Sequence, residues 1–235
     1  MQKRPYGRFC KPLASSRSNL YNNNMRTLIP FNKVIKFLIL SDFLLYSAWG
    51  LIAPIIAIYF VDAIEGGNVQ VVGISAGIYF ITKSLLQIPI GRYLDRNHGE
   101  IDDYWFMVIG TLLASFIPLL YIFIREPWHL YAAQAVYAIG MAMAIPAWGG
   151  IFMRHIDKGK EAQSWSIESS SMGIGAGITG IVGGTVAAAI GFTPLFVIVF
   201  VFGLVSVATL LVIRKNIFSK TLNKRHPRHI ERAIS

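Results

Sequence analysis

Three charged side chains lie deep within apolar sequence: Asp42, Lys83 and Glu168. A carboxylate in such surroundings can carry a proton or a cation, and an ammonium can be its counter-charge or a ligand for a solute. Placing an aspartate or a lysine at the centre of a bilayer-spanning helix costs about 2.5–3.5 kcal/mol each. By helical rise, Asp42 and Glu168 lie ~9 Å inside the expected cytoplasmic boundary and Lys83 ~13 Å deep. The lysine stem could lower its ammonium toward either acid. A fixed ion pair between Lys83 and one carboxylate, holding two helices together, is the plain structural alternative.

Other polar residues recur with these charges at helical spacing. Asp42, Tyr46, Trp49 and Ala53 share one face, as do Ser75, Tyr79, Lys83 and Gln87. Gln134, Tyr137 and Met141 follow the same rule, and so do Ser164, Glu168, Ser171, Gly175 and Thr179. Steps of three and four put such residues on one side of a helix. Four stripes of this kind predict a shared wet cleft or a polar interface, with Tyr46, Trp49, Gln134, Tyr137 and Met141 as its lining.

The elements that carry them are six apolar stretches, at 37–60, 70–90, 104–124, 129–152, 164–190 and 194–213. About 20 apolar residues span the ~30 Å hydrocarbon core. Backbone groups in lipid must be satisfied internally, so the stretches are predicted to be α-helices. Threading them alternately leaves 20 of the 22 lysines and arginines on the side that holds both termini. Such an excess marks the cytoplasmic face, which predicts a multi-pass protein of the plasma or inner membrane with both ends in the cytoplasm. Residues 1–32 and 216–235 read as basic cytoplasmic tails around a transmembrane domain at 33–215, the first of them disordered. The third and sixth stretches lack ionisable residues in their cores, which predicts lipid-facing helices. The pattern predicts two three-helix repeats, each with its third member outermost.

A hydrophobic content of 54% against 14% charged residues excludes an ordinary soluble domain. The net charge of +10 is accounted for by tails and loops facing anionic lipid, which argues against nucleic acid as a partner. The single cysteine, Cys10, cannot form an internal disulfide. No Cys/His cluster suggests a metal, and nothing suggests a cofactor. The run from Gly175 to Gly180 matches a dinucleotide fingerprint, and Gly73, Ser75 and Gly77 match a hydrolase elbow. Neither has the strand that its chemistry requires, and no histidine lies within a span to act as a base, so no enzyme is expected. The glycines instead suit close helix packing, with Gly175, Gly183 and Gly184 as the expected contacts.

The loop after the second stretch, from Gly91 through Asp95 and Arg96, resembles the cytoplasmic signature G-x-L-A-D-R-x-G-R of the major facilitator superfamily. Tyr93 and Glu100 depart from it. Gly50 to Pro54 is similar to the end of the family's first helix, and Gly140 to Pro146 to its fourth. Gly175, Gly183 and Gly184 fall on its fifth-helix glycine pattern. The resemblance covers about 33–215 and implies that the first and fourth helices line a solute cavity. It also implies that the second and fifth contact an opposing half, and that Gly91, Asp95 and Arg96 form a cytoplasmic gate. The family fold has two six-helix halves, and this sequence supplies one. A secondary transporter moving a small solute by alternating access, as a homodimer or with a separate half, is therefore expected. The alternative is a membrane interaction or assembly subunit that moves nothing, or an inactive truncated half.

Overall fold

The computed structural model describes residues 32–97 and 99–218, so Cys10, nearly all of the first tail and residues 219–235 lie outside the described residues. Among the described residues every regular element is a helix: α1 (Lys33–Ile52), α2 (Ile56–Ala63), α3 (Val69–Asn97), α4 (Glu100–Tyr121), α5 (Pro127–His155), α6 (Glu161–Ile190) and α7 (Phe192–Val212). All but the short α2 are long and apolar enough to cross a bilayer. The chain is an all-α membrane protein with six spans among the described residues.

Local chemistry sets the helix ends. The Asn32 side chain accepts from the Val34 N–H at 3.3 Å and caps α1. Glu126 and His129 form a reciprocal cap where α5 opens on Pro127, a position that needs no N–H. Gly191, at φ 83°, takes the left-handed conformation that lets α6 end and α7 begin at once. Pro54 divides the first stretch into α1 and α2, because its ring lacks an N–H and clashes with the preceding turn. Pro89, Pro118 and Pro146 stay inside continuous helices. Past Ile213 the chain turns and stays helical through 214–218. Ile217 is fully buried there and the Phe218 ring lies 5.7 Å from that of Tyr104, so the packed domain extends into the region expected to be tail.

The packing repeats. The first spanning helix, α1, runs along α6 and α7; the fourth, α5, runs along α3 and α4; and α4 lies against α7. Exchanging first for fourth, second for fifth and third for sixth maps this pattern onto itself, as two three-helix repeats require. Small residues form the seams. A Cβ on Gly175 would overlap Ser47 and the Phe43 ring, and one on Gly183 would overlap the Leu51 carbonyl. Gly110 and Gly140 meet in the same way between α4 and α5, and Gly203 meets Ser115 between α7 and α4. Between α1 and α7 the buried Ser41 and Ser206 hydroxyls meet at 2.8 Å, and Ser206 donates to the Ser41 carbonyl at 2.8 Å. Gly184 differs from the expectation: nothing lies within 4 Å of its missing side chain, because it faces away from α1.

Helices α3 and α6 stand at the two ends of this series and are largely uncovered. Their open faces carry Ile81, Leu85 and Ile88 on one and Ile174, Ile178 and Ile181 on the other. The outward positions of α4 and α7, such as Phe116, Leu120, Val201 and Phe202, are apolar too. A bilayer accepts all of these surfaces.

The glycine seam between α1 and α6 can be tested by a matched pair. Gly183→Leu should lower stability by about 1–3 kcal/mol or more through overpacking. Gly184→Leu, one residue on, should stay within ~0.5 kcal/mol of the parent in a thermal unfolding series in detergent.

Candidate functional site

On α1, Asp42, Leu45, Tyr46 and Trp49 follow the spacing i, i+3, i+4, i+7, and on α6 Trp165, Glu168, Ser169 and Met172 do the same. Each set occupies one helix face. Because α1 and α6 pack side by side, Asp42 and Glu168 come to line one cavity of about 420 Å³. Met141, Ala144, Ile145 and Trp148 of α5 form the opposite wall, and Thr111 of α4 contributes a hydroxyl. The cavity lies in the half of the bundle nearer the chain ends, since α1 starts there and α5 finishes there.

The two carboxylates are the charged groups lining this cleft, where the Trp148 Nε1 is also buried without a hydrogen-bond partner. Neither makes an ion pair or a side-chain hydrogen bond among the described residues. The rest of the polar stripe on α6 satisfies itself. Ser164 donates to the Lys160 carbonyl at 2.9 Å, Ser171 to that of Glu168 at 2.8 Å, and Thr179 to that of Gly175 at 2.9 Å. Of that stripe, Glu168 alone faces the cavity with its charge-bearing group free.

Lys83 is elsewhere. Its ammonium lies over the rings of Tyr79 and Phe80, 5.5 and 5.8 Å from their centroids, and pairs with neither carboxylate. The reason is topological: α3 packs along α5, with α1 engaged on its other side by α6 and α7. The Tyr79 ring stacks on Tyr137 at 4.7 Å, and Tyr137 on Trp49 at 4.5 Å. This column ties α3, α5 and α1 together. Gln134 donates to the Tyr121 hydroxyl at 3.1 Å, and the Tyr59 hydroxyl donates to the Tyr121 carbonyl at 2.9 Å. Around them Phe60, Tyr121, Leu195 and Phe196 pack into a dry core. Of the five residues expected to line the cleft, Tyr46 and Met141 do so; Trp49, Gln134 and Tyr137 seal the end beyond it.

The motif residues at the end of α3 meet a second charged group. Asp95 and Gly91 line a cavity of about 230 Å³ with Pro146, Asp103 and Arg154, and face a more open groove on α3 with Ser84, Gln87 and Arg92. Arg154, near the end of α5, hydrogen-bonds the buried Asp103 carboxylate on α4 and lies 3.8 Å from Glu100. His155 Nε2 is 3.8 Å from the other Glu100 oxygen. Sequence reasoning passed over this network, although a signal was present. Glu100, Asp102 and Asp103 fill the first turn of α4, and Arg154 and His155 the last turn of α5. Acids favour a helix start and bases a helix end, so antiparallel neighbours bring them together. Trp148, Trp165 and Met172 were also missed, being indistinguishable in sequence from interfacial or core residues. Arg96 lies with Gly91 and Asp95 in the last turns of α3, which stays helical where the sequence predicts a loop, and it has partners of its own.

A family model described as the Major Facilitator Superfamily matches residues 38–233. No curated protein matches the chain.

The Arg154–Asp103 pair should show coupling. Arg154→Met or Asp103→Asn alone leaves a charged or polar partner unpaired and should cost about 1–3 kcal/mol. The double variant should recover part of that loss in a double-mutant cycle on detergent-unfolding midpoints.

Proposed function

The chain belongs to the major facilitator superfamily, a family of membrane transporters, and on that premise we propose that it moves a small solute by alternating access. The observation that carries this reading is the cavity between α1, α5 and α6, into which Asp42 and Glu168 project without a partner. A transporter needs ionisable groups that reach water from one side at a time, and lone intramembrane carboxylates suit that task. Asp42 and Glu168 would exchange a proton or cation with the solute. Tyr46 and Met141 would touch the solute, and Trp49, Gln134 and Tyr137 would close the pathway above it. Lys83 would hold the top of that closure by its contact with Tyr79.

Alternating access requires a second bundle to rock against the first. The uncovered faces of α3 and α6, which flank the cavity, support such a partner, either another copy of this chain or a separate six-helix half. Gly91, Asp95 and Arg96 would then gate the cavity on the side of the chain ends. The distribution of lysine and arginine supports a cytoplasmic position for that side, in a plasma or inner membrane.

Proteoliposome flux at several pH values tests the reading. Asp42→Asn and Glu168→Gln should each cut flux about tenfold or more, equivalent to ~1.4 kcal/mol of lost driving interaction, with helical content unchanged. Flux that survives both substitutions, or flux absent in every assembly of the parent chain, would remove the transport role and leave a membrane subunit that moves nothing.

A further inference from the structure

The cavity assigned above to transport has a one-sided charge. Among the described residues, two carboxylates line it and no lysine or arginine does. The cations that could have balanced them are committed elsewhere: Lys83 lies over Tyr79 and Phe80, and Arg154 is held by Asp103 and Glu100. An anionic solute entering this space would meet like charge in a low-dielectric wall, which is costly. The aromatic part of the wall favours the opposite sign. Tyr46 is 37% exposed, and the Trp148 and Trp165 rings stand edge to face with centroids 6.0 Å apart, so π faces and carboxylates border the same space. Ring faces attract cations most when water is excluded, and methionine sulfurs such as those of Met141 and Met172 adapt to varied apolar shapes.

Resting on the transport reading above, we infer that the solute is an organic cation: an amine or quaternary ammonium centre on an apolar or aromatic body that fits about 420 Å³. The charged centre sits between Asp42 and Glu168, and the body lies against Trp148, Trp165 and Met141. A polyhydroxylated solute is disfavoured, because the lining offers few hydroxyls among mostly apolar atoms.

The test is equilibrium binding to the full chain in nanodiscs, read by tryptophan fluorescence, since Trp148 and Trp165 border the site. Phenyltrimethylammonium is compared with neutral tert-butylbenzene, which has the same shape, and with anionic benzenesulfonate. Saturable binding of the cation alone, weakened about tenfold or more in Asp42→Asn and in Glu168→Gln, supports the assignment. Equal binding of the neutral or anionic probe, or cation affinity unchanged in both variants, overturns it. Each variant is first checked for parent-like helical circular dichroism, and Trp165→Leu, which keeps both carboxylates, should independently weaken the cation. Repeating the titration in phosphatidylglycerol and in phosphatidylethanolamine discs separates the two sources of such a charge. Competition by the ethanolamine lipid assigns the cationic site to a headgroup, and its absence assigns it to a free solute. Cation binding without flux would retain this site and remove the transport role. Flux of a neutral or anionic solute that depends on Asp42 would do the reverse.

Discussion

The close approach of α6 to α1 is the contact on which the rest of the site depends. Gly175 and Gly183 give up their side chains so that the α6 backbone can press against Ser47, Phe43 and Leu51. That approach sets the rotation of both helices. Asp42 and Glu168 consequently face the same space instead of lipid, where each would be costly. Side chains on those two glycines would push the helices apart, and the carboxylates would lose the cavity they share. A packing feature of the kind common to many membrane helices is here what creates the polar site.

The bundle is built differently at its two ends. Beyond the cavity, the rings of Trp49, Tyr137 and Tyr79 stack in one column, and Tyr121 anchors both Tyr59 and Gln134 around it. Nearer the chain ends, the seam holds carboxylates, an Arg154–Asp103 pair, an open groove on α3 and a smaller cavity beside it. Stacked rings exclude water and hold three helices in register, whereas a cleft lined with charge needs water or a ligand to stay open. The contrast gives the cleft an aromatic end and a charged one.

The sequence made the spans legible because hydropathy and length in a bilayer leave few choices. It also gave the faces: the stripes on α1 and α6 fall where helical spacing puts them, and Asp42 and Glu168 do share a cavity. What periodicity could not give is the neighbour of each face. Lys83 has a stem long enough to reach either acid, but it belongs to α3, whose partner is α5. Trp49, Gln134 and Tyr137 stand on the expected faces, yet at heights where aromatic packing closes the cleft. Height and neighbour both follow from tertiary contacts such as Gly183 with Leu51, and these depend on which helices meet. Gly184 makes the same point at the scale of one residue, since a shift of 100° around α6 turns a packing position into an open one.

The charge bookkeeping of the whole bundle bears on what the cavity is for. Arg154 is matched by Asp103 and Glu100, and Lys83 lies over two aromatic faces, so neither cation reaches the cavity. Asp42 and Glu168 face the cavity with no ion pair among the described residues. A buried carboxylate without a fixed partner can be neutral by binding a proton or balanced by binding a cation, and each choice excludes the other at the same oxygen. Such mutual exclusion is itself a coupling device: whichever positive species arrives displaces the one already present. A permanent lysine in the cavity would have abolished that competition. On the proposed transport role, the placement of Lys83 away from the acids would leave two carboxylates able to exchange one positive charge for another.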